Sequence, residues 1–180
     1  DQAINAEPGT VSGVAHASIV AGQTADVVNG DTSSIANLIA SDGGDGISLR
    51  EAILAANNTS GVDTITLGTG TYSLDLNGTS DSTGDLDIRD GLVITGNGSG
   101  NTFIDGGGAL GTLQDRIFEV HGTSLELEDL TVMGGESTSV GGGIYVHTSG
   151  DLTATNVVIS GNKGTEGGCL YVNRDESQVD

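Results

Sequence analysis

The feature that most constrains this chain is a repeat of about 26 residues in its C-terminal half. Ile117-Phe118-Glu119-Val120 returns as Gly143-Ile144-Tyr145-Val146 and again as Cys169-Leu170-Tyr171-Val172. A second segment, Leu125–Val132, returns 27 residues later as Leu152–Ile159, and both copies run into small or polar turns, Met133-Gly134-Gly135 and Ser160-Gly161-Asn162. Within each copy, apolar and polar residues alternate. Alternation places Phe118, Val120, Ile144, Val146, Leu170 and Val172 on one face of a strand and Glu119, Tyr145 and Tyr171 on the other. A single repeat of this size cannot bury its apolar face. Stacked copies can, and a solenoid is the arrangement that restores the same pattern at a fixed interval. A β-sandwich also uses short strands but needs no such period. The expected fold is therefore all-β, a parallel β-helix of ~26-residue coils. An earlier coil is visible where Leu86-Asp87-Ile88 matches Phe118-Glu119-Val120 at a step of 32, the extra residues falling around positions 96–108.

The N-terminal third reads differently. Ser48-Leu49-Arg50-Glu51 has the form of a capping box, with Ser48 as N-cap and Glu51 three residues on. The helix that follows carries Leu49, Ala52, Ile53 and Ala56 on one side and ends near Asn57-Asn58. A shorter helix over residues 35–40, capped by Asp31 or Ser33, is expected before it. Together they suit a lid over the exposed end of the first coil, with Arg50 anchoring the lid. This divides the chain into an extended arm or leader (1–30), a helical cap (31–62) and a β-helix (63–180). The arm is expected either to lie free or to pair with the edge of a neighbouring subunit. No amphipathic segment follows Val172, so the C-terminal end is expected to be open. It would be continued by a longer helix, the favoured reading, or covered by another copy.

At this point the chain resembles a known family. Gly46-Ile47-Ser48-Leu49-Arg50-Glu51-Ala52-Ile53, then Ala55-Ala56-Asn57 and Asp63-Thr64-Ile65-Thr66-Leu67, are similar to the CSLREA motif. That motif marks the start of β-helix regions in large secreted and cell-surface bacterial proteins. Gly84-Asp85-Leu86-Asp87-Ile88 and Thr102-Phe103-Ile104-Asp105-Gly106 also match how such regions continue. Ile47 stands where the motif has Cys, so nothing here depends on a thiol. The resemblance covers roughly residues 24–172. It implies a right-handed, pectate-lyase-like parallel β-helix on an exported protein, extracellular or at the cell surface, and it implies no activity.

Charge and composition exclude several roles. Lys plus Arg number 5 against 25 Asp plus Glu, a formal net charge of −20. Nucleic acid is not expected as a partner, because phosphate binding needs clustered cations. No apolar run approaches the roughly 20 residues of a membrane span. Cys169 is the single cysteine, so no internal disulfide forms, and it is expected to pack as a small buried hydrophobe.

The chemistry-bearing residues are few. Asp87 and Glu119 fall in one outward column, about 4.8 Å apart by strand spacing, the pattern a polysaccharide hydrolase would need. Outward positions are also where charges ordinarily sit, and Glu126, Glu128 and Asp129 form a second acidic strip. A lyase would need a cationic base, and the candidates are Arg50, Arg89, Arg116, Lys163 and Arg174. His16, His121 and His147 lack metal-ligand spacing and read as surface or turn residues. No catalytic set emerges, and no cofactor is required. Calcium is the one ion the acidic loops admit, at Asp42 and Asp45 or at Asp85 and Asp87. Residues 41–51 fail the EF-hand pattern, because Glu51 stands at position 11 when Gly46 is counted as 6. Tyr145 and Tyr171 form either a platform for sugar rings or a stabilising ladder, with the ladder preferred. Four sequons begin at Asn57, Asn58, Asn77 and Asn97. The expected role is an extracellular structural or adhesive β-helix, a stalk or a subunit of a surface fibre joined through its open end and arm. A carbohydrate-binding module is the alternative, and a polysaccharide lyase or hydrolase ranks third.

Overall fold

The structure, a computed structural model, describes residues 16–108 and 114–174. It is a parallel β-helix of about four turns built from three sheets. The first contains β1 (Ser18–Ala21), β2 (Asp63–Leu67), β5 (Leu92–Thr95), β8 (Ser124–Glu128) and β11 (Asp151–Thr155). The second contains β3 (Gly70–Ser73), β6 (Thr102–Asp105), β9 (Thr131–Met133) and β12 (Val158–Ser160). The third contains β4 (Leu86–Ile88), β7 (Phe118–Val120), β10 (Ile144–Val146) and β13 (Leu170–Val172). Every pairing between coils is parallel.

The register reproduces the repeat. Glu119 lies opposite Tyr145, which lies opposite Tyr171, and Leu125 lies opposite Leu152. Asp87 faces Glu119 despite their longer separation in sequence. Most of that excess sits in the β5–β6 turn, since the step is 33 at Leu92↔Leu125 but 28 at Phe103↔Thr131. Corners repeat as well. Asp129 and Asn156 occupy equivalent turns with φ of 53° and 55°, a left-handed conformation that Asp and Asn tolerate better than most side chains. Asn156 Nδ2 donates to Asp129 Oδ1 across the coils at 3.2 Å.

Inside, identical positions stack into columns. Leu86, Phe118 and Ile144 form one, Ile88, Val120 and Val146 another, and Ile65, Ile94 and Leu127 a third, each residue essentially without exposure. Tyr72, buried among aliphatic residues, satisfies its hydroxyl by donating to Ala21 O and accepting from Gly68 N, both at 2.9 Å.

Two helices close the first coil. In α2 (Leu49–Asn57) the capping box is present: Ser48 Oγ accepts from Glu51 N at 3.1 Å and Glu51 Oε2 accepts from Ser48 N at 3.0 Å. Glu51 Oε1 also accepts from Asn29 N and Gly30 N, at 2.7 and 2.8 Å, so this buried carboxylate fixes the preceding loop to the helix start. Arg50 anchors the lid as expected. Its guanidinium meets Asp26 through Nε–Oδ1 at 2.7 Å and Nη2–Oδ2 at 2.9 Å. It also donates to the carbonyls of Gly84 and Asp85, at 2.8 and 3.2 Å.

Three expectations are corrected. The cap of α1 (Ile35–Ala40) is Ser34, whose hydroxyl accepts from Asn37 N. Asp31 instead closes a local turn onto Ser33 N and Oγ. Residues 16–30 are not a separate arm: β1 pairs with β2 of the same chain, burying Ile19 and Ala21, and Gln23 bridges to Ser48. The earlier part of that segment, 1–15, lies outside the described residues. Cys169 is exposed, with its thiol directed at Ile159 O at 3.3 Å, because it belongs to the last coil. No helix among the described residues is long and apolar enough to cross a membrane.

Candidate functional site

The outer face of the β4-β7-β10-β13 sheet collects an unusual density of polar side chains. Alternation sends Asp87, Glu119, Tyr145 and Tyr171 outward, and the parallel register aligns them in one column across four coils. The ladder continues past the strand ends, where His121 N, His147 N and Asn173 N donate to Ile88 O, Val120 O and Val146 O. That continuation places His121, His147 and Asn173 in a second column beside the first.

The side chains of the two columns are joined. His121 Nε2 lies 2.5 Å from Asp87 Oδ1 and 3.9 Å from Glu119 Oε1. His147 Nε2 is hydrogen-bonded to the same Glu119 Oε1. The two imidazoles stack, with centroids 4.7 Å apart and planes 20° from parallel. Arg116, just before β7, pairs with Glu119 Oε2, reaches Asp85 Oδ2 at 3.7 Å and lies over the Tyr145 ring at 5.1 Å. Arg89 holds Asp81 at 2.9 Å and Asp87 Oδ2 at 3.3 Å.

Crowding acids on a half-buried face changes their ionisation. The Asp85 carboxyl is pushed up to about 8, by removal from water first and then by hydrogen bonding with Glu119 and the charges of Asp115, Glu119 and Asp87. Asp87 is also raised, mainly by burial, with the His121 hydrogen bond opposing. Burial acts to raise Glu119 too, but hydrogen bonds with Asp85 and His147 and the Arg116 charge outweigh it, and Glu119 ends below its ordinary value. The acid pair thus splits into a proton-holding Asp85 and an ionised Glu119.

Sequence-predicted candidates divide clearly. Asp85 and Asp87 come together with Glu119, their ligand oxygens all within 4.8 Å of one another. Asp42 and Asp45 do not join such a group among the described residues: Asp42 Oδ1 accepts from Gly44 N at 3.0 Å and Asp45 Oδ1 accepts from Asn29 Nδ2 at 3.0 Å, which is turn chemistry. Tyr145 and Tyr171 are stacked as a tilted pair, 5.7 Å between centroids and 56° between planes. Tyr145 also packs on His147 at 4.2 Å, and both tyrosines are half-buried. Ser48, Leu49, Arg50 and Glu51 form the lid anchor described above.

Sequence reasoning missed the histidines. His121 stands two residues after Glu119 and His147 two after Tyr145, one 26-residue step apart. That spacing puts them side by side on adjacent coils even though it matches no linear metal motif. Together with Glu119 they form a group whose ligand atoms also lie within 4.8 Å. No family model, curated protein or solved structure matches this chain.

Proposed function

We propose that the chain is a structural, adhesive β-helix module of the cell exterior, with the face of its last coil as an assembly surface. The observation that carries this reading is a contrast between equivalent residues. Ile144 and Val146 are 0% and 1% exposed, whereas Leu170 and Val172, their partners one coil on, are 39% and 40% exposed. Among the described residues, the surface that each earlier coil buries is here left uncovered, beside the edge of the last described strands. The resemblance to cell-surface β-helix regions supports the extracellular setting.

The natural occupant is another such coil, supplied by the continuation of a longer helix or by a second copy, and the second copy is the case that the purified chain can test. Because α1 and α2 cover the opposite end, stacking through this face alone stops at a pair. A longer fibre would need a second joint. Burying Leu170 and Val172 from each of two copies recovers roughly 2–5 kcal/mol, taking about 40% of the ~1.5–3 kcal/mol for each full side chain. After the entropy of association, this supports a weak contact. Light scattering on the purified chain over a concentration series, with and without Ca²⁺, tests it. A reversible dimer that Leu170→Lys abolishes is expected. A monomer up to about millimolar concentration, where binding is worth ~4 kcal/mol, overturns the assembly reading.

A second reading has its own observation. Tyr171 extends the column of Asp87, Glu119 and Tyr145, which makes a polar and aromatic strip roughly 14 Å long at ~4.8 Å per coil, suited to a short polysaccharide segment. Glycan-array binding that Tyr171→Ala removes would support it, and signal unchanged by that substitution would eliminate it.

A further inference from the structure

The geometry points to a divalent transition-metal site, of the zinc type, formed by His121 Nε2, His147 Nε2 and Glu119 Oε1 on the outer face of β7 and β10. Three features of the arrangement carry it. First, two imidazole nitrogens and one carboxylate oxygen converge, all within 4.8 Å of one another. Ligands at 2.0–2.1 Å from a tetrahedral zinc stand about 3.3 Å apart. The separation of His121 Nε2 from Glu119 Oε1 is 3.9 Å, and the His147 pairing is a direct hydrogen bond. Small side-chain rotations bring both to the metal distance.

Second, the two oxygens of Glu119 are already divided between tasks. Oε2 pairs with Arg116, while Oε1 faces both histidines. An outer partner that fixes the carboxylate and leaves one oxygen aimed at the nitrogens is how metal ligands are usually oriented. Asp87 repeats the division, with Oδ2 on Arg89 at 3.3 Å and Oδ1 at 2.5 Å from His121 Nε2. Metal binding at His121 Nε2 replaces that hydrogen bond, which leaves Asp87 Oδ1 beside the ion to accept from a water in the fourth position. Two histidines and one carboxylate with an open fourth place is the ligand count of a site that keeps a water, not of a closed structural site.

Third, the ligands stand on rigid elements. Glu119 lies on a strand locked between β4 and β10, and the histidines follow β7 and β10 directly, their backbone amides still in the ladder. Their rings stack at 4.7 Å, so neither is free to swing away. Two nitrogen donors select against calcium, which prefers oxygen throughout.

The test uses the whole chain after dialysis against a chelator. Titration with ZnCl₂ by calorimetry, in excess CaCl₂, is expected to give one site per chain. His121→Ala and His147→Ala should each weaken binding by at least about tenfold, while His16→Ala, remote and exposed, leaves it unchanged. Co²⁺ added to the unaltered chain should give the intense visible absorption of a four-coordinate ion, a readout independent of whether any variant folds. No heat above buffer, displacement of Zn²⁺ by Ca²⁺, histidine variants that bind as tightly as the parent chain, or the pale spectrum of six-coordinate Co²⁺ would each overturn the assignment.

Discussion

Removing the Arg50 guanidinium is the perturbation with the most calculable effect. The side chain is 1% exposed and makes two charge-assisted hydrogen bonds to Asp26, whose carboxylate is fully buried. It makes two more to the carbonyls of Gly84 and Asp85 in the approach to β4. Arg50→Met keeps the aliphatic stem but deletes the charge. Asp26 then retains only Asp75 N and Leu76 N, at 3.0 and 2.9 Å, as donors. Breaking one half of a buried pair costs about 3–5 kcal/mol. Against a total stability of roughly 5–15 kcal/mol, that is a large fraction. At about 2–4 °C per kcal/mol for a chain of this size, the melting temperature should fall by roughly 6–20 °C. Urea unfolding followed by far-ultraviolet circular dichroism reads the strands, so it reports whether losing the lid unravels the coils beneath. The partner variant matters as much. Asp26→Asn combined with Arg50→Met removes the stranded charge and should recover more than half of the loss, since replacing both partners of a buried pair is often neutral. A loss under about 1 kcal/mol for Arg50→Met, the size of an exposed ion pair, would refute the idea that this pair holds the lid.

Three further outcomes follow from the same geometry. Asp63 is fully buried, accepts from Ala17 N at 2.9 Å and leaves Oδ2 without a partner. Burial raises its ionisation range, with Asp90 adding to the shift and the Ala17 hydrogen bond and His16 opposing. A raised carboxyl favours the folded state when protonated, so its stabilising effect is complete below the ordinary carboxylate range and is lost as pH climbs through the raised value. Asp63→Asn should therefore match or exceed the parent at pH 7, the gain vanishing near pH 4; a variant weaker at pH 7 by more than about 1 kcal/mol contradicts this. A methyl at Gly142 would sit 2.1 Å from Lys163 O, which is backbone and cannot yield; Gly142→Ala should lower stability by about 1–3 kcal/mol or more, and a neutral thermal melt would mean the last coil seats less closely. Ser48→Ala removes the acceptor for Glu51 N and the donor to Val27 O, and should lower the urea midpoint by an amount equivalent to about 0.5–2 kcal/mol; no change would show that the capping box is redundant with Arg50.

What was legible in the sequence is what local or strictly periodic physics controls. Phe118, Ile144 and Leu170 share a column because alternation and a 26-residue step leave no other arrangement that buries them. The Ser48–Glu51 box needs only three residues of context. The α1 cap was misplaced because Asp31, Ser33 and Ser34 each offer a capping oxygen. Burial of Ile35 and Leu38 against the first coil selects among them, and that is a tertiary choice. Cys169 stands one residue before the inward Leu170, on the Tyr171 side of the alternation, and no further coil among the described residues covers it. Asp26 could not be named as the partner of Arg50, because it lies in the segment taken for an arm, and the pairing exists only once β1 joins β2.

The outward strip was legible only in part: the Asp87–Glu119 and Tyr145–Tyr171 columns follow from the steps, whereas the contacts of His121 and His147 do not. Outward positions of a solenoid are under weaker packing constraint than the core columns, so residue type there varies from coil to coil, as from Asp87 and Glu119 to Tyr145. Contacts between them appear only when each coil's step is known, as when a step of 32 sets Asp87 opposite Glu119. Stacking like charges at that distance works against the fold, and an indifferent surface would spread them. Instead, of the five Lys and Arg available to 25 acids, Arg89 and Arg116 are both committed here, with two of the three histidines. Scarce cations are concentrated where the register sets acids one coil apart. That cost is not needed to hold the core columns, which are continuous without it. Within the fold those cations already offset the acids' repulsion, and the nitrogen donors at the centre of the strip make a metal ion the first ligand to offer it in the titration proposed above.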